Sequence, residues 1–189
     1  SDGGKVLPSL GYRISRDTRD NRFNPTSGYY YALSEQFAGL GGDVNYLSSV
    51  LKGSYYYKYD YVDLIVGIGA EYGNIEGLGE NISKSNRFFL GGRKIRGFDS
   101  SGVGPRVSAN SSASAVGGNN YYTGRVSIRS GIGIPSETAL QWTVFTDFGT
   151  LWGVDDTIDN YAVSTDQEEL RMSFGYGFQW ETPIGPLSF

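Results

Sequence analysis

Apolar and polar residues alternate near the end of the chain without an error over twelve residues, from Leu170 to Glu181. One face of this segment carries small, polar or charged side chains, and the other carries only large apolar ones. The apolar members are Leu170, Met172, Phe174, Tyr176, Phe178 and Trp180. Because successive side chains of a β-strand point to opposite faces, a period of two residues predicts a strand with one apolar and one hydrophilic face.

The same period, with a few exceptions, predicts six more strands and the beginning of another. Three of the six are clear and three are weaker. The clear ones are Tyr61–Gly73, Tyr122–Ile134 and Leu140–Phe148, the weaker ones are Leu10–Arg16, Gly28–Ala38 and Leu47–Lys58, and the incomplete one begins at Pro186. Lengths of roughly nine to twelve residues suit tilted strands that cross a bilayer, whereas strands of globular sheets usually have five or six.

The connections between the predicted strands alternate between short and long over most of the chain. Residues 74–118 and 153–169 are long connections, residues 135–138 and 182–185 are short, and the early loop at 39–43 breaks the trend. Outer-membrane barrels show this asymmetry, with tight periplasmic turns and long external loops. A soluble β-sandwich also alternates, but here the polar faces combine charges with glycines and the apolar faces end in Tyr and Trp. The predicted fold class is all-β, an antiparallel up-and-down transmembrane β-barrel.

Composition narrows the possible chemistry. The chain has 28 Gly, 15 Tyr and 10 Phe but no Cys and no His, which removes thiolate metal sites, the usual general base and the commonest zinc ligand. We therefore expect no enzyme, no metal site and no cofactor. A net charge of −4 argues against a nucleic-acid partner. The sequence contains no run of eighteen apolar residues, so it predicts no transmembrane helix. No signal peptide begins at Ser1, so we expect a processed or excised segment.

The longest connection contains motifs rich in Gly, Pro and Arg. They are RFFLGG at 87–92, IRGF at 95–98, VGPR at 103–106 and GGN at 117–119. A connection of this length without a hydrophobic core of its own is usually disordered or functional, and the Gly, Pro and Arg content favours function. The Ser- and Ala-rich residues 107–116 are predicted to be a flexible tip.

These motifs resemble the BamA-type family of outer-membrane assembly factors, also described as bacterial surface antigens or polypeptide-transporting β-barrels. RFFLGG, IRGF and VGPR are similar to the family's sixth extracellular loop. GGN, FTDFGTLW and LRMSFGYGFQWETPIGPLSF are similar to its C-terminal blocks, and DTRDNRFNPTSG is similar to a periplasmic turn. The resemblance covers nearly the whole chain. It implies that residues 1–189 are about the C-terminal half of a sixteen-stranded barrel, with seven strands, the start of an eighth and a long extracellular or lumenal loop at 74–118.

The resemblance also implies how that loop is anchored inside the barrel. In the family, the Arg of the loop motif binds acidic groups on the inner wall, which corresponds to Arg96 and Asp147 here. Asp147 lies on the polar face of its predicted strand, and a guanidinium in a confined lumen needs such a carboxylate. The second acidic position of the family falls on Ser127, so we expect Asp147 to carry more of the anchoring or Glu71 or Glu181 to substitute. The implied loop motif and lumen anchor are Ile95, Arg96, Gly97, Phe98 and Asp147, and the implied loop support is Gly91, Gly92, Val103, Gly104 and Pro105.

By resemblance, the parent protein is expected to fold and insert β-barrel proteins in the bacterial outer membrane. The implied partners are the outer-membrane lipid bilayer, unfolded outer-membrane protein clients and accessory lipoproteins of an assembly complex. Two other functions stay open from the sequence. One is a related polypeptide-translocating or passive outer-membrane pore, and the other is the barrel anchor of a fused lipase.

Overall fold

The computed structural model describes residues 8–39, 45–79, 81–109, 112–132, 140–154, 168–182 and 185–188. Within these ranges the regular structure consists of β-strands and two single-turn 3₁₀ helices, Asp60–Val62 and Lys84–Asn86. The strands are β1 (Ser9–Asp17), β2 (Gly28–Ala38), β3 (Tyr46–Tyr59), β4 (Leu64–Gly77), β5 (Arg106–Ala109), β6 (Ser112–Ala115), β7 (Asn120–Gly131), β8 (Leu140–Trp152), β9 (Arg171–Thr182) and β10 (Gly185–Ser188). Every predicted strand is present.

Eight of the strands form one antiparallel sheet in the order β1-β2-β3-β4-β7-β8-β9-β10. Each strand pairs with its neighbour along the chain, except that the long connection with its own hairpin lies between β4 and β7. This confirms the predicted up-and-down antiparallel fold. In the part of the chain that the structure describes, the sheet is open, with β1 at one edge and β10 at the other.

The boundaries of β4 differ from the prediction at both ends. The strand was predicted to begin at Tyr61, but a 3₁₀ turn occupies residues 60–62 and Asp63 has a φ of 45°, so β4 begins at Leu64. At its other end the ladder with β7 continues to Asn74, whose side-chain amide donates to Asn120 at 2.7 Å. The long connection therefore spans residues 78–119 rather than 74–118. The predicted turn at 135–138 lies outside the described residues.

The two faces of the sheet have opposite character. On β9, Phe174 is 73% exposed and Tyr176 is 77% exposed, whereas Gly175 between them is partly buried. Large apolar side chains are also exposed along the outer face of β1, β3, β4 and β7, among them Ile14, Leu51, Ile68 and Val126. A soluble sandwich would bury these side chains against a second sheet, so the exposed apolar face is the surface expected of a barrel in lipid. In the described ranges no helix is long and apolar enough to cross a membrane.

The long connection is folded, which corrects two predictions. Residues 107–116 were predicted to be a flexible tip, but β5 and β6 pair antiparallel from Arg106↔Ala115 to Ala109↔Ser112. The connection was also expected to lack a hydrophobic core. Instead, Leu90, Ile95 and Val103 are buried in one cluster with two wall residues, Tyr121 of β7 and Leu151 of β8. Alternation over four residues is too short to distinguish a hairpin from a coil in a sequence of Ser and Ala.

The turn between β1 and β2, residues 18–27, lies across the end of the sheet. Asp20 organises it, because its carboxylate accepts from the Thr26 backbone N–H at 2.9 Å and the Thr26 hydroxyl at 2.6 Å. Burial acts to raise the pKa of Asp20, but the Thr26 hydroxyl and backbone N–H groups lower it to about 2. The buried Asn24 then reaches the far strands, where its side chain accepts from Arg129 of β7 and donates to Gln141 of β8 at 3.4 Å.

Candidate functional site: a loop bound to the inner wall

A tight turn at 91–98 brings the long connection onto the inner face of β4, β7 and β8. The Gly92 N–H donates to the Phe98 carbonyl at 2.9 Å and closes the turn. Ile95, at its centre, is fully buried beside Tyr121 and Leu151, and Phe98 packs against the same cluster. The anchored apolar side chain fixes the backbone on either side of it. The two basic residues that flank Ile95 are therefore directed to the wall.

Arg96 binds Asp147 through two parallel hydrogen bonds. Its Nε donates to Oδ2 at 2.7 Å and its second terminal nitrogen donates to Oδ1 at 2.8 Å. The Arg96 backbone N–H adds a third bond to Oδ2 at 3.1 Å. The Arg96 guanidinium also lies over the ring of Phe145, with 3.2 Å between its central carbon and the ring centroid. Bidentate geometry and a ring face together orient the guanidinium more strictly than one charge contact would.

Asp147 has a second cationic partner on the wall itself. Arg125 of β7 is its cross-strand neighbour, and its Nε donates to Oδ1 at 2.7 Å. A terminal nitrogen of Arg125 donates to the Arg93 carbonyl of the loop at 3.1 Å. The Asp147 side chain is 0% exposed, whereas the side chains of Arg96 and Arg125 are 36% and 42% exposed. A single buried carboxylate is therefore the common acceptor for one guanidinium of the loop and one of the wall.

A second ionic cluster lies on β4, on the other side of the loop. Lys94 Nζ is 2.7 Å from Oε1 of Glu71 and 2.8 Å from the hydroxyl of Tyr121. The Tyr121 hydroxyl donates to the same carboxylate at 2.5 Å, and Lys94 also lies over the Tyr121 ring, 3.9 Å from its centroid. Lys52 of β3 completes the cluster, 3.6 Å from Oε2 of Glu71. The loop thus contacts the wall through cations on both sides of Ile95.

The expected replacements for the missing acidic group behave differently from one another. Ser127 lies on β7 opposite Gly67, and its hydroxyl is 3.4 Å from the Gly67 carbonyl, so it gives Arg96 no partner. Glu71 is an anchor, but for Lys94 rather than for Arg96. The Glu181 side chain lies outside the described residues. Asp147 is therefore the carboxylate that binds Arg96 in the part of the chain that the structure describes.

The predicted support residues shape the loop around this turn. Val103 is buried and forms a bridge with Leu90, and Pro105 is fully buried. Gly91 has a φ of +138°, and a Cβ there would lie 1.9 Å from the Asp99 carbonyl oxygen. Gly104 has a φ of +109°, and a Cβ there would lie 2.5 Å from Leu151. Gly92, the remaining support residue, also has a positive φ, as does Gly97 of the loop motif.

Several residues of the site were not predicted as site residues, among them Lys52, Lys94, Tyr121, Arg125 and Phe145. The polar face of its predicted strand indicates that Arg125 points inward, but its pairing with Asp147 depends on the register of β7 against β8. Phe145 interrupts the alternation of β8 because its ring lies on the inner face, under the guanidinium of Arg96. Lys94 and Tyr121 carry no pattern that separates them from ordinary loop and strand residues.

A small cavity of about 420 Å³ separates the loop from β2, β3, β4 and β7. Glycine and serine residues line the wall beneath it, including Gly53, Ser54, Gly67 and Gly69, and the cations Lys52, Lys94 and Arg125 lie around it. Small inner side chains leave room for the loop to fold inside the sheet.

The fold is similar to that of a solved outer-membrane barrel. The crystal structure of BamA from Haemophilus ducreyi lacking POTRA domains 1–3 matches with a TM-score of 0.81 and 21% identity, over 96% of this chain and 37% of that chain. Fold and inner loop together define the class, an up-and-down transmembrane β-barrel. The sequence profile of the Omp85 superfamily domain matches residues 2–189. The chain therefore belongs to the Omp85 superfamily, which confirms the family resemblance of its motifs.

Two of the relatives are named as outer membrane protein assembly factors. BamA of Neorickettsia risticii (strain Illinois), an outer membrane protein assembly factor, is 35% identical over 188 residues, which cover 99% of this chain and 24% of the relative. BamA of Nitratidesulfovibrio vulgaris is 26% identical over 98% of this chain and 23% of its own length. A SAM50-like protein of Schizosaccharomyces pombe is 31% identical over 63% of this chain and 26% of its own length. The chain is part of a bacterial outer-membrane barrel and spans about a quarter of the length of these relatives.

Proposed function

We propose that this chain is the scaffold half of an outer-membrane insertase that folds and inserts other β-barrel proteins. Its long loop braces the inner wall through Arg96, and this half performs no covalent chemistry. Its partners are the bilayer on the outer face, unfolded barrel clients and accessory lipoproteins of an assembly complex. The observation that carries the proposal is the bidentate Arg96–Asp147 pair, which joins the loop to β8 at 2.7 and 2.8 Å within a fold that assembly factors share.

The arrangement of charges supports a bracing role rather than catalysis. The carboxylate of Asp147 is fully covered and bound by two guanidinium groups, so it has no free lone pair directed at a substrate. Acid or base catalysis needs a group that can reach a reacting atom. A loop bound across β4, β7 and β8 resists relative motion of these strands, which suits a scaffold that stays folded while another part of a barrel changes.

Substitution of Arg96 tests this function in the full-length protein reconstituted in lipid vesicles. Arg96→Ala removes two side-chain bonds to a buried carboxylate, and hydrogen bonds to charged groups contribute about 1.5–3 kcal/mol each. Since Arg125 still pairs with Asp147, we expect the barrel to fold and the insertion of a client barrel to fall by about tenfold or more. The measurement is the fraction of client that acquires heat-modifiable mobility.

Arg93→Ala is the matched control, because Arg93 lies in the same turn with an exposed side chain and its backbone carbonyl, the acceptor for Arg125, is retained. Normal client insertion by Arg96→Ala would refute the bracing role. A large single-channel conductance of the unmodified protein, without client insertion, would favour a pore, and hydrolysis of phospholipid by the full-length protein would favour a lipase anchor.

A further inference from the structure

Both wall carboxylates that bind the loop share one feature. Each accepts one cation from the loop and one from the wall of the sheet. Asp147 is bound by Arg96 of the loop and by Arg125 of β7. Glu71 is bound by Lys94 of the loop and by Lys52 of β3. Two carboxylates on different strands thus have the same arrangement of partners.

The cation of the wall becomes important when the loop is released from the wall. Removing one partner of a buried ion pair is costly, since it leaves an unpaired charge in a poorly solvated place. The side chain of Glu71 is only 15% exposed. If Lys94 were its single partner, release of the loop would leave that carboxylate with a hydroxyl alone. With a second cation in place, the carboxylate keeps an opposite charge in either position of the loop.

Lys52 is placed to serve as that second cation. It is the cross-strand partner of Glu71 in the β3–β4 register, so its position depends on the sheet and not on the loop. Its Nζ lies 3.6 Å from Oε2, longer than a hydrogen bond, while Lys94 has the close contact of 2.7 Å with Oε1. Its side chain is 54% exposed. A movement of less than about 1 Å would give Lys52 a direct hydrogen bond.

We propose that Lys94 is a second positioning residue for the loop and that Lys52 is a reserve partner which keeps Glu71 paired when the loop is released. The proposal rests on the bracing role of the loop and adds that docking of the loop is reversible. Lys94 stabilises the docked loop. Lys52 stabilises the released one. Substitutions that remove the same charge from these two residues must then change loop docking in opposite directions.

Hydrogen exchange of residues 91–99 in the full-length protein in lipid nanodiscs measures loop docking directly. Lys94→Gln is expected to speed exchange by about two- to fivefold, the range for a partly exposed ion pair, and Lys94→Arg should restore the slow rate. Lys52→Gln is expected to slow exchange by a similar factor. Lys58→Gln, on the same face of β3 and paired with Asp63 at 2.9 Å, is the matched control and should leave the rate unchanged.

A further variant keeps the test decisive. In a Glu71→Gln background the effect of Lys52→Gln should disappear, because the carboxylate is gone, and the effect of Lys94→Gln should shrink to what its contacts with the hydroxyl and ring of Tyr121 contribute. Equal rates for Lys52→Gln and Lys58→Gln, or faster exchange in Lys52→Gln, would overturn the reserve role. Exchange reports the loop itself and needs no client protein. A normal insertion activity of Arg96→Ala would therefore contradict the proposed function without altering the result for Lys52.

Discussion

The lipid-facing side of β9 and the loop turn at 91–98 both carry large apolar side chains, yet they are specified in different ways. On β9 every outward side chain contributes to the same apolar surface, and the side chains of Phe174 and Tyr176 are mostly exposed on it. In the turn, Ile95 and its neighbours each have one position and one set of contacts. A repeated pattern tolerates change at any one position, whereas a set of single contacts does not. Three pairs of substitutions test this difference.

Asp147 should show the largest effect. Asp147→Ala leaves the guanidinium groups of Arg96 and Arg125 without their shared acceptor, and loss of one member of a buried ionic group costs about 3–5 kcal/mol. Glu169→Ala removes the exposed partner of Arg171 on β9 and should cost less than about 1 kcal/mol. Urea titration of the full-length barrel in vesicles gives both free energies of unfolding. Similar values for the two variants would show that the loop anchor does not stabilise the barrel.

Two isoleucines separate burial inside the protein from contact with lipid. Ile95 is 0% exposed in the loop core, whereas Ile68 is 51% exposed on the outer face of β4. Ile95→Ala should cost about 2–5 kcal/mol, because it leaves a cavity. Ile68→Ala loses transfer free energy alone, about 1–2 kcal/mol, since lipid fills the space. The same unfolding titration measures both, and a larger loss at Ile68 would contradict the comparison.

Two glycines with positive φ separate backbone strain from steric conflict. At Gly79, with a φ of +95°, a Cβ would meet nothing within 4 Å, whereas at Gly91 it would lie 1.9 Å from a backbone carbonyl. Gly79→Ala therefore measures strain, and Gly91→Ala adds overpacking, which typically costs about 1–3 kcal/mol more. Loop docking is measured by protease cleavage of the connection. Equal cleavage rates in the two variants would show that the Asp99 carbonyl can move away.

The same difference explains what could be predicted from the sequence. The strands could be predicted from the alternation of apolar and polar residues, because an amphipathic strand places an apolar residue at every second position. The beginning of β4 does not, since it depends on the backbone of Asp63, whose φ of 45° is set by a tight turn. The hairpin of β5 and β6 was missed because Ser and Ala give no contrast between its faces.

The site was only partly predictable for a related reason. Arg96 and Asp147 were identified through motifs, and the structure places them in contact. Arg125 required the register of β7 against β8, and Lys94 required the path of the loop over β4. Register and path depend on residues far apart in the chain. The polar face of the strand indicates that Glu71 points inward, but it does not indicate which cation binds it.

The turn at 18–27 has a mechanical consequence for the sheet. Its Asn24 joins the β1–β2 end to Arg129 and Gln141, which lie on strands separated from β2 by β3 and β4. This link spans the curved sheet in a straight line. Because it holds the two ends of the curve at a fixed distance, it also fixes how strongly the sheet curves between them. Bending of these strands is therefore limited by side chains at their rim as well as by the hydrogen bonds between them, and we expect the segment to move as one stiff shell.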